Sequence, residues 1–249
     1  MTQTTSPDAR ASANLTPELS PAAEVALLAR LLYRAGYDDG TAGHISSLQD
    51  DGTMLVNPHE LCWDELCPSD ILRIDTDGRL LEGRWTVPPP ITLHVEIHRQ
   101  RPGTRFAVHN HSRWGTIWAD LHRVPPIYDQ SSALIDADIA LFDEYDGSVI
   151  DRQRSARAAA ALGNRPAALL ANHGVLVVGN DVRHVHRRCI ALEWRCRQAW
   201  HVEAIGGGKE LRPEVAADLA AIVDGDNPSY LFDAMVRREL RADPGLLER

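Results

Sequence analysis

Lysine is nearly absent from this sequence: the 249-residue chain contains a single one, Lys209. Three consecutive glycines, residues 206–208, directly precede it, and a glycine-rich loop shields an amine poorly from water. A lysine that forms a Schiff base needs a lowered pKa, which burial in an apolar pocket usually supplies. A lysine-based covalent mechanism therefore has few candidate residues in this chain.

Long basic runs and long apolar runs are missing as well. The net charge is −9 and the isoelectric point is near 5.6, which does not favour a nucleic-acid surface. No apolar run approaches the roughly 20 residues that a membrane-spanning helix needs, and the polar N-terminus lacks the apolar segment of a secretory signal. We expect no nucleic-acid partner, no membrane partner and a cytoplasmic location.

Cysteine is scarce, with four in the chain, and their spacing argues against cross-links. Cys189 and Cys196 lie two turns apart on a predicted helix, too far for a local disulfide. Cys62 and Cys67 lack the Cys-x-x-Cys spacing of a zinc knuckle. The sequence predicts four reduced thiols, as is usual in the cytoplasm.

The remaining composition indicates one domain with short tails. Hydrophobic residues make up 44% of the chain, enough for a core in a chain of this length. Residues 1–20 are rich in Ser, Thr, Ala and Pro, which predicts a flexible tail. Ser20 followed by Pro21 is typical of a helix start. We expect a single domain over residues 21–241, with a C-terminal tail at 242–249 and with a short strand at Val124–Tyr128.

Three histidines carry the main chemical signal. His109 and His111 directly follow the apolar run Phe106–Val108, which predicts a buried strand. Alternate side chains of a strand point the same way, so both imidazoles face one side. His173 occupies an Asn-His-Gly turn between two further apolar runs. A His-x-His pair arises by chance among eleven histidines, but the third histidine favours a three-histidine divalent metal site with an open position.

Six short segments, taken in order, resemble the class II aldolase/adducin family, which includes fuculose-phosphate and ribulose-phosphate aldolases. The resemblance spans about residues 22–205. The segments are Gly43-His44-Ile45-Ser46, Val56-Asn57-Pro58, Ser69-Asp70-Ile71-Leu72, Arg101-Pro102, Val108-His109-Asn110-His111-Ser112 and Asn172-His173-Gly174.

The resemblance implies both architecture and ligands. It implies an α/β fold of three layers, α/β/α, around a central, mostly antiparallel sheet. It implies a homo-oligomer, a ring-like tetramer with sites at subunit boundaries. The family's metal ligands correspond to His109, His111 and His173. The ion would be divalent, with Zn, Mn, Fe and Co as candidates, because imidazole ligands alone do not select one of them.

The chain departs from the sugar-phosphate members of that family at two places. Their Ser-Ser-Glu segment, which holds phosphate and supplies an acid/base carboxylate, corresponds to Pro88-Pro89-Pro90. Proline has neither hydroxyl nor carboxyl group. Their second phosphate-binding stretch corresponds to Asn57-Pro58-His59-Glu60, where Glu60 would repel a phosphate. The sequence therefore argues against a sugar-phosphate substrate.

Loss of these groups beside an intact histidine set favours decarboxylation. A branch of the family decarboxylates dihydroxyphthalate-type substrates, and Pro125-Pro126-Ile127-Tyr128-Asp129-Gln130 is similar to it. A cationic three-histidine site suits an anionic, chelating small molecule such as 3,4-dihydroxyphthalate.

The candidate proton donors are Tyr128, His59 and Glu60, and the candidate substrate-binding residues are Arg105, Arg113, Gly43 and Ser46. His94 is interpreted as a structural histidine, and Tyr230 as a residue that reaches a neighbouring subunit.

Three alternatives stay open. One is a metal-dependent aldolase for a non-phosphorylated hydroxy-carbonyl compound, with histidine or tyrosine in place of the missing glutamate. Another is an iron-dependent oxygenase. The third is a non-catalytic adducin-like module, although such a module has no physical reason to keep three converging imidazoles.

Overall fold

The computed structural model describes residues 15–135, 138–145, 147, 151–224 and 230–249. Eight strands form one sheet in the order β4-β3-β2-β1-β5-β8-β7-β6. Every neighbouring pair is antiparallel except β6 and β7, which confirms the mostly antiparallel sheet. The strands are β1 His44–Leu48, β2 Met54–Val56, β3 Leu72–Ile74, β4 Leu80–Glu82, β5 Phe106–Asn110, β6 Ala140–Phe142, β7 Ala167–Leu170 and β8 Gly174–Gly179.

Helices cover both faces of this sheet. Strand side chains alternate between two buried clusters. Val108 packs with the helices at Pro21–Tyr33 and Val182–Ala204, whereas Ala107 packs with those at Thr92–Gln100 and Arg152–Leu162. The predicted three-layer α/β/α fold is therefore confirmed. The helices are α1 Pro21–Tyr33, α2 Thr92–Gln100, α3 Gly115–Asp120, α4 Arg152–Leu162, α5 Val182–Ala204, α6 Pro213–Asp224 and α7 Tyr230–Ala242.

The first helix begins where its sequence predicts. The hydroxyl of Ser20 accepts a hydrogen bond from the backbone N–H of Ala23 at 3.2 Å, and Pro21 is the first helical residue. Such a cap satisfies one of the unpaired N–H groups at the helix start. Helix α1 then packs buried leucines against the sheet.

The strand expected at Val124–Tyr128 is absent, because this segment is irregular in the structure. Pro125 and Pro126 have no backbone N–H to give to a strand ladder. The buried guanidinium of Arg195 donates instead to the carbonyl of Pro125, with its Nε at 2.8 Å. The apolar pattern was therefore misleading here.

The two tails that the sequence predicts have different outcomes. The expected N-terminal tail falls largely on residues 1–14, outside the described residues. The expected C-terminal tail, residues 242–249, packs back on the domain. Leu246 is fully buried, and the backbone N–H of Ser69 donates to the carbonyl of Arg249 at 3.2 Å.

All four cysteines are unpaired, as predicted, and three of them are buried. No helix within the described ranges combines the length and the apolar character needed to cross a membrane.

Candidate metal centre

Adjacent strands bring the three predicted ligands together. His109 lies in β5, where it faces His44 of β1 on one side and Leu176 of β8 on the other. His111 follows the end of β5, and His173 occupies the tight turn between β7 and β8. Potential ligand atoms of His109, His111 and His173 all lie within 4.8 Å of one another. The alternation along β5 and the β7–β8 turn therefore build the cluster from local geometry.

Two of the three imidazoles are held in one tautomer. The Nδ1 atom of His109 lies 2.9 Å from the carbonyl oxygen of Val175, and Nδ1 of His111 lies 2.7 Å from Oδ2 of Asp39. Because a carbonyl accepts only, and a carboxylate accepts when ionised, Nδ1 carries the proton in each ring. Each Nε2 atom is then left with a lone pair. Such outer partners typically orient histidine ligands in metal sites.

The electrostatics also suit a cation. Burial, together with the neighbouring histidines, holds the pKa of His109 well below its usual range and lowers the pKa of His173 to about 4. Neutral imidazole is the form that ligates a metal. The buried Nε2 atom of His111 has no hydrogen-bond partner among the described residues. Its lone pair is therefore available to coordinate a metal ion. These residues fit a divalent ion, and the described group contains no carboxylate.

A buried polar network supports the cluster from behind. The ring of His44 stacks on the ring of His109 with centroids 5.0 Å apart. The Ser46 hydroxyl lies 2.7 Å from both Nδ1 of His94 and Nε2 of His98, and Nδ1 of His98 donates to the carbonyl of Thr104 at 3.2 Å. Ser46 is fully buried. The structure therefore places Ser46 and His94 within the packing that holds the site.

Gly43 lets the loop before β1 lie close against the end of β5. Its φ angle is +95°, and a Cβ atom there would lie 2.3 Å from the side-chain nitrogen of Asn110. That same nitrogen donates to the carbonyl of Ala42 at 3.2 Å. A side chain at position 43 would thus collide with the strand that carries His109 and His111.

The other predicted site residues are spread over the molecule. Arg113 is two residues beyond His111 in the chain, and its guanidinium forms an ion pair with Asp38 at 2.6 Å. Arg105 precedes β5, about 13 Å of extended chain from His109, and its guanidinium pairs with Asp50 at 2.8 Å. The structure therefore leaves Arg105 at the opposite end of β5 from the histidines.

Of the three candidate proton donors, His59 and Glu60 are neighbours in the chain, and Tyr128 belongs to a different segment. His59 and Glu60 are exposed, and the carboxylate of Glu60 accepts a hydrogen bond from the backbone N–H of Thr86 at 3.0 Å. Tyr128 lies beside Gly208 and Glu203, by the C-terminal end of α5. Its ring makes no contact with a ligand histidine within the part of the chain that the structure describes.

Sequence reasoning missed two residues that the fold places at the cluster. Tyr145, three residues after β6, lies with its ring centroid 6.3 Å from that of His173, and it is half exposed. Asp39 orients His111, as described above. An acidic pair preceding the glycine-bearing loop was the only sequence signal for Asp39, and Tyr145 had none because no motif surrounds it.

Comparisons with known proteins place this geometry in context. The Class II Aldolase and Adducin N-terminal domain matches residues 23–200. A 3,4-dihydroxyphthalate decarboxylase of Terrabacter sp. is 32% identical over 217 residues, 80% of this chain and 87% of that protein. A 5-methylthioribulose-1-phosphate/5-deoxyribulose-1-phosphate aldolase of Rhodospirillum rubrum is 30% identical over 68% of this chain and 78% of that protein. An aldolase II superfamily protein from Pseudomonas syringae has a similar structure, with a TM-score of 0.81 at 24% identity over 92% of this chain and 98% of that chain.

Proposed function

We propose that this chain, which belongs to the class II aldolase and adducin family, is a divalent-metal-dependent lyase that decarboxylates a hydroxylated aromatic dicarboxylate such as 3,4-dihydroxyphthalate. The observation that carries the proposal is the donor set: three converging imidazoles with no carboxylate in the described group. Such a site leaves the charge of a bound cation largely uncompensated and so suits a chelating dianion. The similarity to a 3,4-dihydroxyphthalate decarboxylase supports it.

The segment that replaces the aldolase acid/base also supports this choice. Pro89–Ile91 forms a 3₁₀ turn that leads into α2, and a proline side chain offers neither a hydroxyl group to a phosphate nor a carboxylate to an enediol. Glu60, at the second expected phosphate position, is exposed and carries its own charge. A decarboxylation needs neither a phosphate pocket nor a base that forms an enediolate.

The residues at the cluster have distinct tasks in this reaction. A divalent ion held by the imidazoles would supply a charge that draws electron density from an ortho-hydroxy carboxylate. Arg113, two residues beyond His111 in the chain, is our candidate to attract the second carboxylate. The bond between ring and carboxylate breaks with its electron pair left on the ring carbon, and a proton replaces the departing CO2. Tyr145, beside His173, is our candidate to deliver that proton.

Metal content and CO2 release test the proposal together. We expect the wild-type protein to contain a divalent metal, the His109→Ala variant to lose it, and only the wild type to release CO2 from 3,4-dihydroxyphthalate. A metal-loaded protein that releases no CO2 from a panel of hydroxylated aromatic acids would contradict the decarboxylase assignment and leave the metal centre standing.

An aldolase acting on a non-phosphorylated hydroxy-carbonyl compound is the second candidate. The similarity to the aldolase from Rhodospirillum rubrum favours it. Release of pyruvate or an aldehyde from hydroxy-keto acids, without CO2, would identify this activity, whereas dioxygen uptake would identify an oxygenase. Less than a tenth of a metal ion per chain, with none taken up, would favour a non-catalytic module.

We also propose a cytoplasmic homotetramer. The four unpaired thiols support the location. The partly exposed Trp194 and Trp200 of α5 support a subunit contact, because exposed tryptophans are enriched at interfaces. A monomeric mass by light scattering would contradict the tetramer.

A further inference from the structure

Two residues share an unusual backbone conformation and touch each other. Within the described ranges His122 and Asn172 are the only non-glycine residues with a positive φ, +52° in both cases. Residues with side chains enter this region at a cost and stay there when their surroundings hold them. The Asn172 amide nitrogen lies 2.9 Å from Nε2 of His122. The end of α3 is thus tied to the turn between β7 and β8.

Asp143 extends this tie to a third element. Nδ1 of His122 makes a short contact with the carboxylate of Asp143, in the loop after β6. A carboxylate accepts, so Nδ1 carries the proton, and Nε2 of the neutral ring accepts from the Asn172 amide. If both ring nitrogens of His122 carry a proton, Nε2 can donate to the amide oxygen of Asn172 instead. The hydrogen bond between the two side chains is therefore possible in either protonation state.

The backbone adds a second tether at the same place. The carbonyl of Ala119 accepts from the backbone N–H of His122 at 3.0 Å and of Asn172 at 3.4 Å. Asn172 is therefore held through both its backbone and its side chain. Since Asn172 is bonded to His173, this double attachment sets the direction in which the next residue leaves the turn.

His173, which follows Asn172, depends on this backbone attachment more than His109 and His111 do. Val175 orients the ring of His109 and Asp39 orients the ring of His111. The ring of His173 makes no hydrogen bond to any described residue. Its place, with ring centroids 4.7 Å from His109 and 4.9 Å from His111, therefore depends on the backbone of its turn.

We propose that Asp143, His122 and Asn172 form a positioning array that fixes the turn of His173 and so sets the affinity of the three-histidine centre for its metal. The inference rests on the metal centre of the proposed function. His122 is not a ligand candidate itself, because it lies outside the group of converging ligand atoms. The array orients His173 by holding its backbone, whereas direct hydrogen bonds orient the rings of His109 and His111.

Cobalt binding tests the array without reference to catalysis. Co²⁺ would be titrated into metal-free wild type and variants while its visible absorption and its competition with a chelator are recorded. We expect His122→Ala to weaken binding about 10-fold to 100-fold, as loss of outer partners typically does, and to alter the absorption bands. His122→Gln, whose amide replaces Nε2, should restore most of the affinity. Asn172→Gly keeps the left-handed turn but loses the side-chain tie, and it should weaken binding in the same direction.

A matched control and a second variant keep the test decisive. His184 is another histidine paired with an aspartate, Asp181 at 2.6 Å, at the start of α5, and His184→Ala should leave cobalt binding unchanged. If His122→Ala does not fold, Asp143→Ala replaces it, since Asp143 is exposed. Unchanged affinity and spectrum in the array variants would overturn this inference and leave the centre intact. A wild-type protein that takes up no cobalt would overturn the centre and the inference together.

Discussion

Asp39 holds His111 from outside the cluster, with Oδ2 at 2.7 Å from Nδ1 of the ring. The carboxylate selects the tautomer that leaves Nε2 of His111 with a lone pair, and it fixes the orientation of the ring. A loop residue far from β5 in the sequence thus prepares a ligand at the end of that strand.

Replacing Asp39 should therefore weaken metal binding. We expect Asp39→Ala to lower the affinity for Zn²⁺ or Co²⁺ about 10-fold to 100-fold, measured by chelator competition, because His111 loses its orienting partner. Asp38→Ala is the matched control, since Asp38 pairs with Arg113 rather than with a ligand. Equal losses in both variants would show that general destabilisation of the loop is responsible.

The two tyrosine candidates for proton delivery can be separated by single-atom changes. We expect Tyr145→Phe to lower kcat for CO2 release by about 100-fold or more, within the usual range for loss of a general acid, with metal content unchanged. Tyr128→Phe should change kcat by less than about threefold, because Tyr128 lies near the end of α5. The reverse pattern would assign the proton to Tyr128, and in that case the residue must act on a different subunit's cluster.

Two glycines of one loop allow backbone strain to be distinguished from collision. Gly40 and Gly43 both have a positive φ, +56° and +95°, but only Gly43 is crowded, with nothing within 4 Å of a Cβ at Gly40. Gly40→Ala should reduce the free energy of unfolding by about 1–2 kcal/mol through strain alone. Gly43→Ala should cost about 1–3 kcal/mol more, because Asn110 must move.

Urea unfolding measures both changes, and the metal affinity of each variant supplies a second readout. Gly43→Ala should also weaken metal binding, because Asn110 immediately precedes His111. Equal unfolding free energies for the two variants would refute the collision argument.

A buried histidine away from the cluster should make the protein sensitive to acid. His186 of α5 is fully buried beside Phe232, and neither of its ring nitrogens has a hydrogen-bond partner among the described residues. Burial lowers the pKa of His186 from 6.5 to about 4. As the pH falls below 6.5, His186 takes up a proton in the unfolded chain but not yet in the folded chain. The free energy of unfolding is therefore unaffected by this residue above pH 6.5 and decreases as the pH drops towards 4.

The effect can be isolated by replacing His186 with an apolar side chain. The full shift corresponds to about 3 kcal/mol, so the unfolding free energy of His186→Leu should fall less steeply between pH 6.5 and 4 than that of wild type. At pH 7 the variant should be close to wild type or more stable. Parallel pH profiles for both proteins would show that unfolding brings no proton uptake by His186.

Local rules accounted for much of the fold and predicted the three histidines that converge in it. The period of two along β5 placed His109 and His111 on one side, and the Asn-His-Gly turn placed His173 at a strand end. These features depend on bonded neighbours, so the sequence is enough to predict them. The same local reasoning was wrong at Val124–Tyr128, where an apolar pattern outweighed two prolines that cannot join a ladder.

Contacts between distant segments were beyond sequence reasoning. Ser46, which the sequence predicts at the substrate, forms hydrogen bonds with His94 and His98. The sequence could not predict these contacts, because the direction of the side chain depends on where α2 packs. Tyr145 had no sequence signal and Asp39 had only that of an acidic pair, since each residue reaches the cluster only after its loop has folded onto it.

The sequence by itself determined that three imidazoles can meet, which follows from residue identity and from strand periodicity, which act within a few residues. Its resemblance to the family indicated that prolines replace the carboxylate and hydroxyls of a sugar-phosphate site. Only the tertiary structure decided what orients each imidazole: a carbonyl for His109, Asp39 for His111 and the turn of Asn172 for His173. The physical reason is that these hydrogen bonds join atoms tens of residues apart, and their geometry exists only once the sheet and its loops are packed.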